Sequence, residues 1–384
     1  MKKISMRFCN SKSIIFSFIL FVAIIFILYT NSLVHESHEI KSKKQAQTQN
    51  SDSLIAPKNV TVEERIKWFK KKLPDFQIFK SNGFTQRFHI RVTEIMEDNN
   101  CEVHFFMTWI APIESFGRRQ FLGMDTLFKV HPNGCLIIIS ETLDSLQGRR
   151  ILKPLVVLGF KVRAVTPDLP SLFNNTPAET WLNEITSGVK DPGEVPLSQN
   201  LSNLIRLVAI YKYGGVYLDT DFIILKSFSG LRNSIGGQTI DDVSKIWTFN
   251  NAVLIFDRSH PLVYRFIHEF AATFDGNKWG HNGPKLVSRV AQKLAQKPEF
   301  NFTVMPATSF YPIEWSLMER FYKKPENSSD LRWVQKMVIE LISGDVYAVH
   351  LWNKFSQIVP IEDGSAMAIL ISHSCVICDY IYTP

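Results

Sequence analysis

The stretch that most limits what this chain can fold into is residues 201–225, LSNLIRLVAIYKYGGVYLDTDFIIL. Leu204, Leu207, Val208 and Tyr211 recur at helical spacing, and Gly214-Gly215 predicts the end of that helix. Val216-Tyr217-Leu218 then predicts a buried strand whose end is Asp219-Thr220-Asp221. Residues i and i+2 of an extended chain face one side, so the two carboxylates are expected to converge. Converging carboxylates hold a hard divalent cation, and their oxygen ligands favour manganese or magnesium. Such a cation neutralises a diphosphate and helps it depart. A bare Asp-x-Asp is as readily a solvated loop. The apolar strand and Gly-Gly turn ahead of it single this one out.

Upstream, strands and helices alternate. Residues 103–109 read as a buried strand, 116–130 as a helix and 136–139 as a second strand. Residues 149–158 suit a helix ending at Gly159, and 161–165 a third strand. This order predicts parallel βαβ units in an α/β sheet, with ligands at the carboxyl ends of the strands. No solenoid-period repeat and no Gly-x-Gly-x-x-Gly loop interrupts it, so one catalytic domain is the simplest reading.

Residues 13–34 carry no charge, which is enough to span a hydrocarbon core needing ~20 helical residues. Lys2, Lys3, Arg7 and Lys12 precede this run, while Glu36 and Glu39 follow it. Positive-inside bias predicts a cytosolic N-terminus and a lumenal bulk. A cleaved signal peptide is the alternative, although no A-x-A-like site follows the run. The expected organisation is a cytosolic tail (1–12), an anchor (13–34), a polar stem (35–84) and a catalytic domain (85–384). Within the stem, residues 63–72 read as a short basic helix carrying Ile66, Trp68 and Phe69. The N-terminal tail supplies four units of the formal net charge of +7, so the remainder is too close to neutral to argue for nucleic acid. Sequons begin at Asn59, Asn174, Asn200, Asn301 and Asn327, and Asn200, opening a buried helix, is expected to stay unmodified. Four lumenal cysteines, Cys101, Cys135, Cys375 and Cys378, permit two disulfides whose pairing the sequence leaves open. Cys375-x-x-Cys378 alone is a poor zinc or redox site.

The 201–225 segment resembles the family 32 glycosyltransferases, in particular the alpha-1,4-glycosyltransferase group. Further landmarks stand in the same order: Asn250-Asn251-Ala252, Trp279-Gly280-His281-Asn282-Gly283-Pro284, Phe310-Tyr311-Pro312-Ile313-Glu314-Trp315, and Tyr347-Ala348-Val349-His350-Leu351-Trp352-Asn353-Lys354. The resemblance implies a GT-A-like mixed sheet flanked by helices, with a nucleotide-binding half and an acceptor half. It implies retaining transfer of a hexose, galactose or N-acetylglucosamine, from a UDP-sugar to a glycan or glycolipid, on the lumenal side of the Golgi membrane. By the same resemblance Asp219, Asp221 and His350 are the metal ligands. Arg206, Trp352 and Asn353 join the two aspartates in binding the donor, and Asn251, His281 and Asn282 are catalytic contacts to the reacting sugar or acceptor.

Several of these residues also have plainer readings: an ion pair for Arg206, a structural imidazole for His350, core packing for Trp352, and a turn for the Gly280–Pro284 loop. The family usually has Ser-Asp where this chain has Ser202-Asn203. Asparagine keeps the hydrogen-bonding side chain and loses the charge, which bears on donor identity more than on the metal. Two other classes compete. A haloacid-dehalogenase-like phosphohydrolase would use Asp219 as nucleophile and Asp221 as general acid, but Ile223 stands where a Thr or Val is usual, and Asp241-Asp242 is too close to supply the later acidic pair. A non-catalytic lumenal binding protein derived from the enzyme fits Asn203 but not the retained carboxylates.

Overall fold

A computed structural model describes residues 54–98, 100–240 and 247–378. The expected tail and anchor, the first part of the expected stem, and Asp241-Asp242 lie outside the described residues. Among the described residues no helix is long and apolar enough to cross a membrane.

Among the described residues nine strands form two sheets. In chain order they are β1 (His104–Thr108), β2 (Cys135–Ile139), β3 (Lys161–Val165), β4 (Gly215–Leu218), β5 (Phe222–Ile224), β6 (Ser234–Ile240), β7 (Trp247–Phe256), β8 (Thr303–Met305) and β9 (Ala348–His350). Seven of them make one mixed sheet in the order β3-β2-β1-β4-β7-β6-β8, while β5 and β9 pair apart from it. β1 to β4 run parallel, and β7 is antiparallel to both β4 and β6. The parallel half follows from the sequence. Every residue of β2 (CLIII) is buried, as a strand covered on both faces requires. The Arg118–Val130 and Leu146–Val157 helices supply the crossovers, and the second is capped by the Ser145 hydroxyl on the Gly148 N–H.

Residues 63–72 do form a helix, Val62–Lys72, opened by a Thr61–Glu64 capping box. It packs onto the domain: Phe69 is buried in the main core, and buried Arg65 forms a forked pair with Asp191. Cys101 bridges Cys135 at the start of β2, and Cys375 bridges Cys378. Asn200 is 3% exposed and its amide oxygen accepts a hydrogen bond from Asn282, so this sequon has no room for a glycan. Asn59, Asn174, Asn301 and Asn327 are exposed.

Candidate active site

The long Leu197–Tyr213 helix ends as expected at Gly214, whose φ of 71° is open to glycine without strain. β4 follows and stops at Leu218, and β5 begins at Phe222. Asp219-Thr220-Asp221 is therefore a bend between the two sheets and not the end of one strand. The carboxylates converge because the chain changes sheet there; strand pleating is not the cause. His350, the last residue of β9, is the cross-strand partner of Phe222 and arrives at the same bend. Asp219, Asp221 and His350 each offer a ligand atom, all within 4.8 Å of one another.

The two carboxylates have different neighbours. Asp219 pairs with the buried Arg206 guanidinium, Nη2 at 2.9 Å from Oδ1 and Nη1 at 3.2 Å from Oδ2. The Tyr217 hydroxyl donates to Oδ1 at 2.9 Å. Thr108 stands 2.8 Å from that hydroxyl and 2.6 Å from Ser202 Oγ, which in turn accepts from Arg206 at 3.2 Å. These contacts close a ring: Arg206, Ser202, Thr108, Tyr217, Asp219. Arg206 also donates to the carbonyls of Ser202 and Asn251 and lies 4.6 Å from the centre of the Tyr217 ring. Burial pushes the Tyr217 phenol well above its usual range, so it remains a donor.

Asp221 has no fixed cation. Oδ2 accepts the Asn353 N–H at 2.9 Å, and Oδ1 lies 3.4 Å from His350 Nε2. The Asn353 N–H points there because Trp352 adopts a left-handed conformation, φ 51° and ψ 53°, which is costly for a bulky residue. Trp352 is held in it by its indole N–H on the Ile313 carbonyl and by edge packing on His350, centroids 4.5 Å apart. Burial pushes the Asp219 carboxyl up, and Arg206 offsets this only in part, since Asp221 adds a like charge. Burial acts on Asp221 the same way, but His350 and the Asn353 N–H bring it below the usual range.

The other expected residues are distributed as follows. Asn251 is buried, with its amide donating to Asn203 and its carbonyl accepting from Arg206. Asn282 is buried and bonded to Asn200 and to the Asp275 backbone at both ends of its amide. His281 is half-buried, with Nε2 2.8 Å from the Thr273 carbonyl. Asn251 thus joins the Asp219–Asp221–His350 cluster through Arg206, whereas His281 and Asn282 shape the neighbouring loop, whose Gly283 lies against Asn203.

Sequence reasoning missed Tyr217, Thr108 and Gly123. A Cβ on Gly123 would meet the Thr220 carbonyl at 2.9 Å and the Phe222 carbonyl at 3.0 Å, so this glycine lets the Arg118–Val130 helix reach the bend. A glycine inside a helix costs about 1 kcal/mol relative to alanine, and that was the available signal.

The residue set suits a divalent cation. Two carboxylates and an imidazole are hard and borderline donors. Among the described residues, His350 Nδ1 and Asn353 Oδ1 are buried polar atoms without a hydrogen-bond partner within the protein, which fits donors to a bound group.

Comparison with known proteins places the chain among glycosyltransferases. A family model described as "Alpha 1,4-glycosyltransferase conserved region" matches residues 255–381, and one described as "Glycosyltransferase sugar-binding region containing DXD motif" matches residues 117–241. Mouse lactosylceramide 4-alpha-galactosyltransferase is 30% identical over 264 residues, covering 66% of this chain and 68% of that one. Human alpha-1,4-N-acetylglucosaminyltransferase is 26% identical over 199 residues, covering 50% and 52%. An uncharacterized Arabidopsis thaliana protein is 29% identical over 283 residues, 72% of this chain, and the chain spans 42% of its length.

Proposed function

Since this chain belongs to the alpha-1,4-glycosyltransferase family, we propose that it is a retaining, metal-dependent hexosyltransferase that draws on a UDP-sugar. The observation that carries this reading is the meeting of Asp219, Asp221 and His350 ligand atoms within 4.8 Å, beside buried polar atoms that lack partners. Those three residues would hold manganese or magnesium. When bound, the cation supplies positive charge to the departing diphosphate.

The chain's own residues prepare that site. Arg206, with its donors spent on Asp219, Ser202 and Asn251, acts on the donor through Asp219, which favours the ion-pair reading of this arginine. Trp352 and Asn353 set Asp221 and form the wall nearest the diphosphate. Asn251 and Asn282, buried and bonded within the protein, and His281, held on the Thr273 carbonyl, would support the walls along which the reacting sugar and acceptor approach, with Asn251 tied to the carboxylate cluster through Arg206. The sheet carrying Asp219 corresponds to the nucleotide-binding half of a GT-A fold. The relatives' names include a galactosyl- and an N-acetylglucosaminyltransferase, so both sugars are candidate donors, and a glycolipid or another glycan is the acceptor. Residues 13–34 would anchor the chain in the Golgi membrane with this domain lumenal.

The test is a UDP-release screen of the full chain in detergent, with UDP-galactose and UDP-N-acetylglucosamine, manganese and a panel of neutral glycans. Release with at least one donor, abolished by EDTA and restored by manganese, is the expected outcome. Release that ignores EDTA, or binding of neither UDP nor manganese, removes the reading.

A further inference from the structure

Three segments far apart in sequence bring exposed aromatic rings together at the edge of this site. Trp279, Trp315 and Phe355 are 49%, 54% and 47% exposed. The Lys354 ammonium lies 3.7 Å from the centre of the Trp279 ring and 5.6 Å from that of Phe355. Phe355 packs on Trp315 with centroids 4.9 Å apart and planes inclined by 31°. The four side chains are thus one continuous surface. It is fixed to the metal cluster through the backbone, because Asn353, whose N–H holds Asp221, directly precedes Lys354 and Phe355. The indole of Trp352 on the Ile313 carbonyl ties in the segment that bears Trp315.

Scattered surface apolar residues are ordinary, but a contiguous group of half-exposed large rings marks an interaction site. These rings are held in place before any ligand arrives, by a cation over one face and by ring-on-ring packing. Such preorganisation lowers the ordering cost of binding. The matching partner has a flat apolar face and a rim of hydroxyls, because the rings offer the face and the ammonium offers three donors to the rim. A pyranose has that chemistry. A lipid surface fits less well: a lysine serving headgroups extends its ammonium away from the apolar surface, whereas Lys354 lies back over Trp279.

We infer that Trp279, Trp315 and Phe355, with Lys354, form the platform on which a pyranose ring of the acceptor stacks before transfer. The inference rests on the glycosyltransferase reading above and adds the acceptor subsite to it.

The test uses the full chain in detergent and a Trp315→Ala/Phe355→Ala double variant, with Trp315→Tyr as the conservative control. Calorimetry with UDP and manganese comes first; the double variant is expected to match the parent, which shows that fold and metal cluster survive. A neutral-glycan array including lactose and N-acetyllactosamine, probed with UDP and manganese present, is then expected to retain the parent. The double variant should lose that retention by roughly tenfold or more, and Trp315→Tyr should keep most of it. Equal glycan retention by parent and double variant, or no glycan retained by a parent that binds UDP and manganese, overturns the platform alone. A parent that binds neither UDP nor manganese overturns the underlying reading. If the double variant keeps its glycans but loses binding to phosphatidylcholine–phosphatidylserine vesicles, the surface is a membrane contact and the inference fails.

Discussion

The end of β4 and the start of β5 are separated by three residues, yet each anchors its aspartate in a different way. Asp219 belongs to the large sheet. Its carboxylate is clamped by a buried arginine and a phenol, and its N–H continues the ladder to the Ala252 carbonyl on β7. Asp221 belongs to the small sheet, where a backbone N–H and the His350 imidazole are its partners and its own carbonyl accepts from Leu351. One carboxylate is a structural counter-ion that also faces the site. The other has no fixed positive charge and depends far more on what binds. A three-residue motif therefore contains two unequal functions, and substitutions at its ends should separate them.

The largest effect is expected from Asp219→Asn. Arg206 is 3% exposed, and removing its anionic partner leaves a buried cation facing only neutral acceptors. Breaking such a pair costs about 3 kcal/mol or more. A thermal melt in EDTA should show the variant falling by several degrees, in addition to its loss of manganese-dependent UDP binding. Asp221→Asn should do the reverse. Its melt in EDTA should fall only slightly, since the amide oxygen can still accept the Asn353 N–H and relief of the like charge on Asp219 offsets the lost His350 contact, while calorimetry should show UDP–manganese affinity down by roughly a hundredfold. Equal destabilisation by the two substitutions would mean that the two carboxylates are equivalent.

His350→Ala is expected to lie between. The ring contributes a third donor and packs on Phe222 and Trp352, so affinity for UDP–manganese should fall about tenfold and the melt only slightly. A loss as large as that of Asp221→Asn would make the imidazole an equal ligand and shift the weight of the site onto the small sheet.

How much of this was readable in advance divides along the same line. β1, β2 and β3 lie close to their expected positions, because a run such as Leu136-Ile137-Ile138-Ile139 can only be a buried strand between helices. The three-residue β5 and β9 carry too little pattern of their own, and their pairing exists only because distant segments meet. Asp219 and Asp221 stood out through the strand and turn before them, and His350 through its motif. Tyr217 looked like one more apolar strand residue, since nothing local shows that its hydroxyl will meet Thr108 from β1. Arg206 was ambiguous for the same reason: an arginine on a helix does not reveal in sequence which carboxylate it will face.

The smallest effect is expected from Tyr217→Phe, and it is the sharpest probe of the clamp. The change removes one oxygen from a buried ring of contacts and leaves the aromatic face under Arg206 in place. Thr108 loses its phenol partner but keeps Ser202, so no buried hydroxyl is orphaned, and the cost should be about 1 kcal/mol. For a domain of this size that is a fall of roughly 1–2 °C in the melt. The informative quantity is affinity. If Arg206 alone orients Asp219, UDP–manganese binding should stay at the parent value. If the phenol fixes which lone pairs of Oδ1 remain for the cation, affinity should drop by roughly threefold to fivefold, less than the full worth of a hydrogen bond to a charged group because the phenol acts on the cation only through Oδ1. We expect the drop, because the Tyr217 hydroxyl and Arg206 Nη2 both lie 2.9 Å from Oδ1 and together leave little freedom for that oxygen. Calorimetry on Tyr217→Phe beside the parent decides it, and unchanged affinity with a lowered melt would assign the phenol to stability alone.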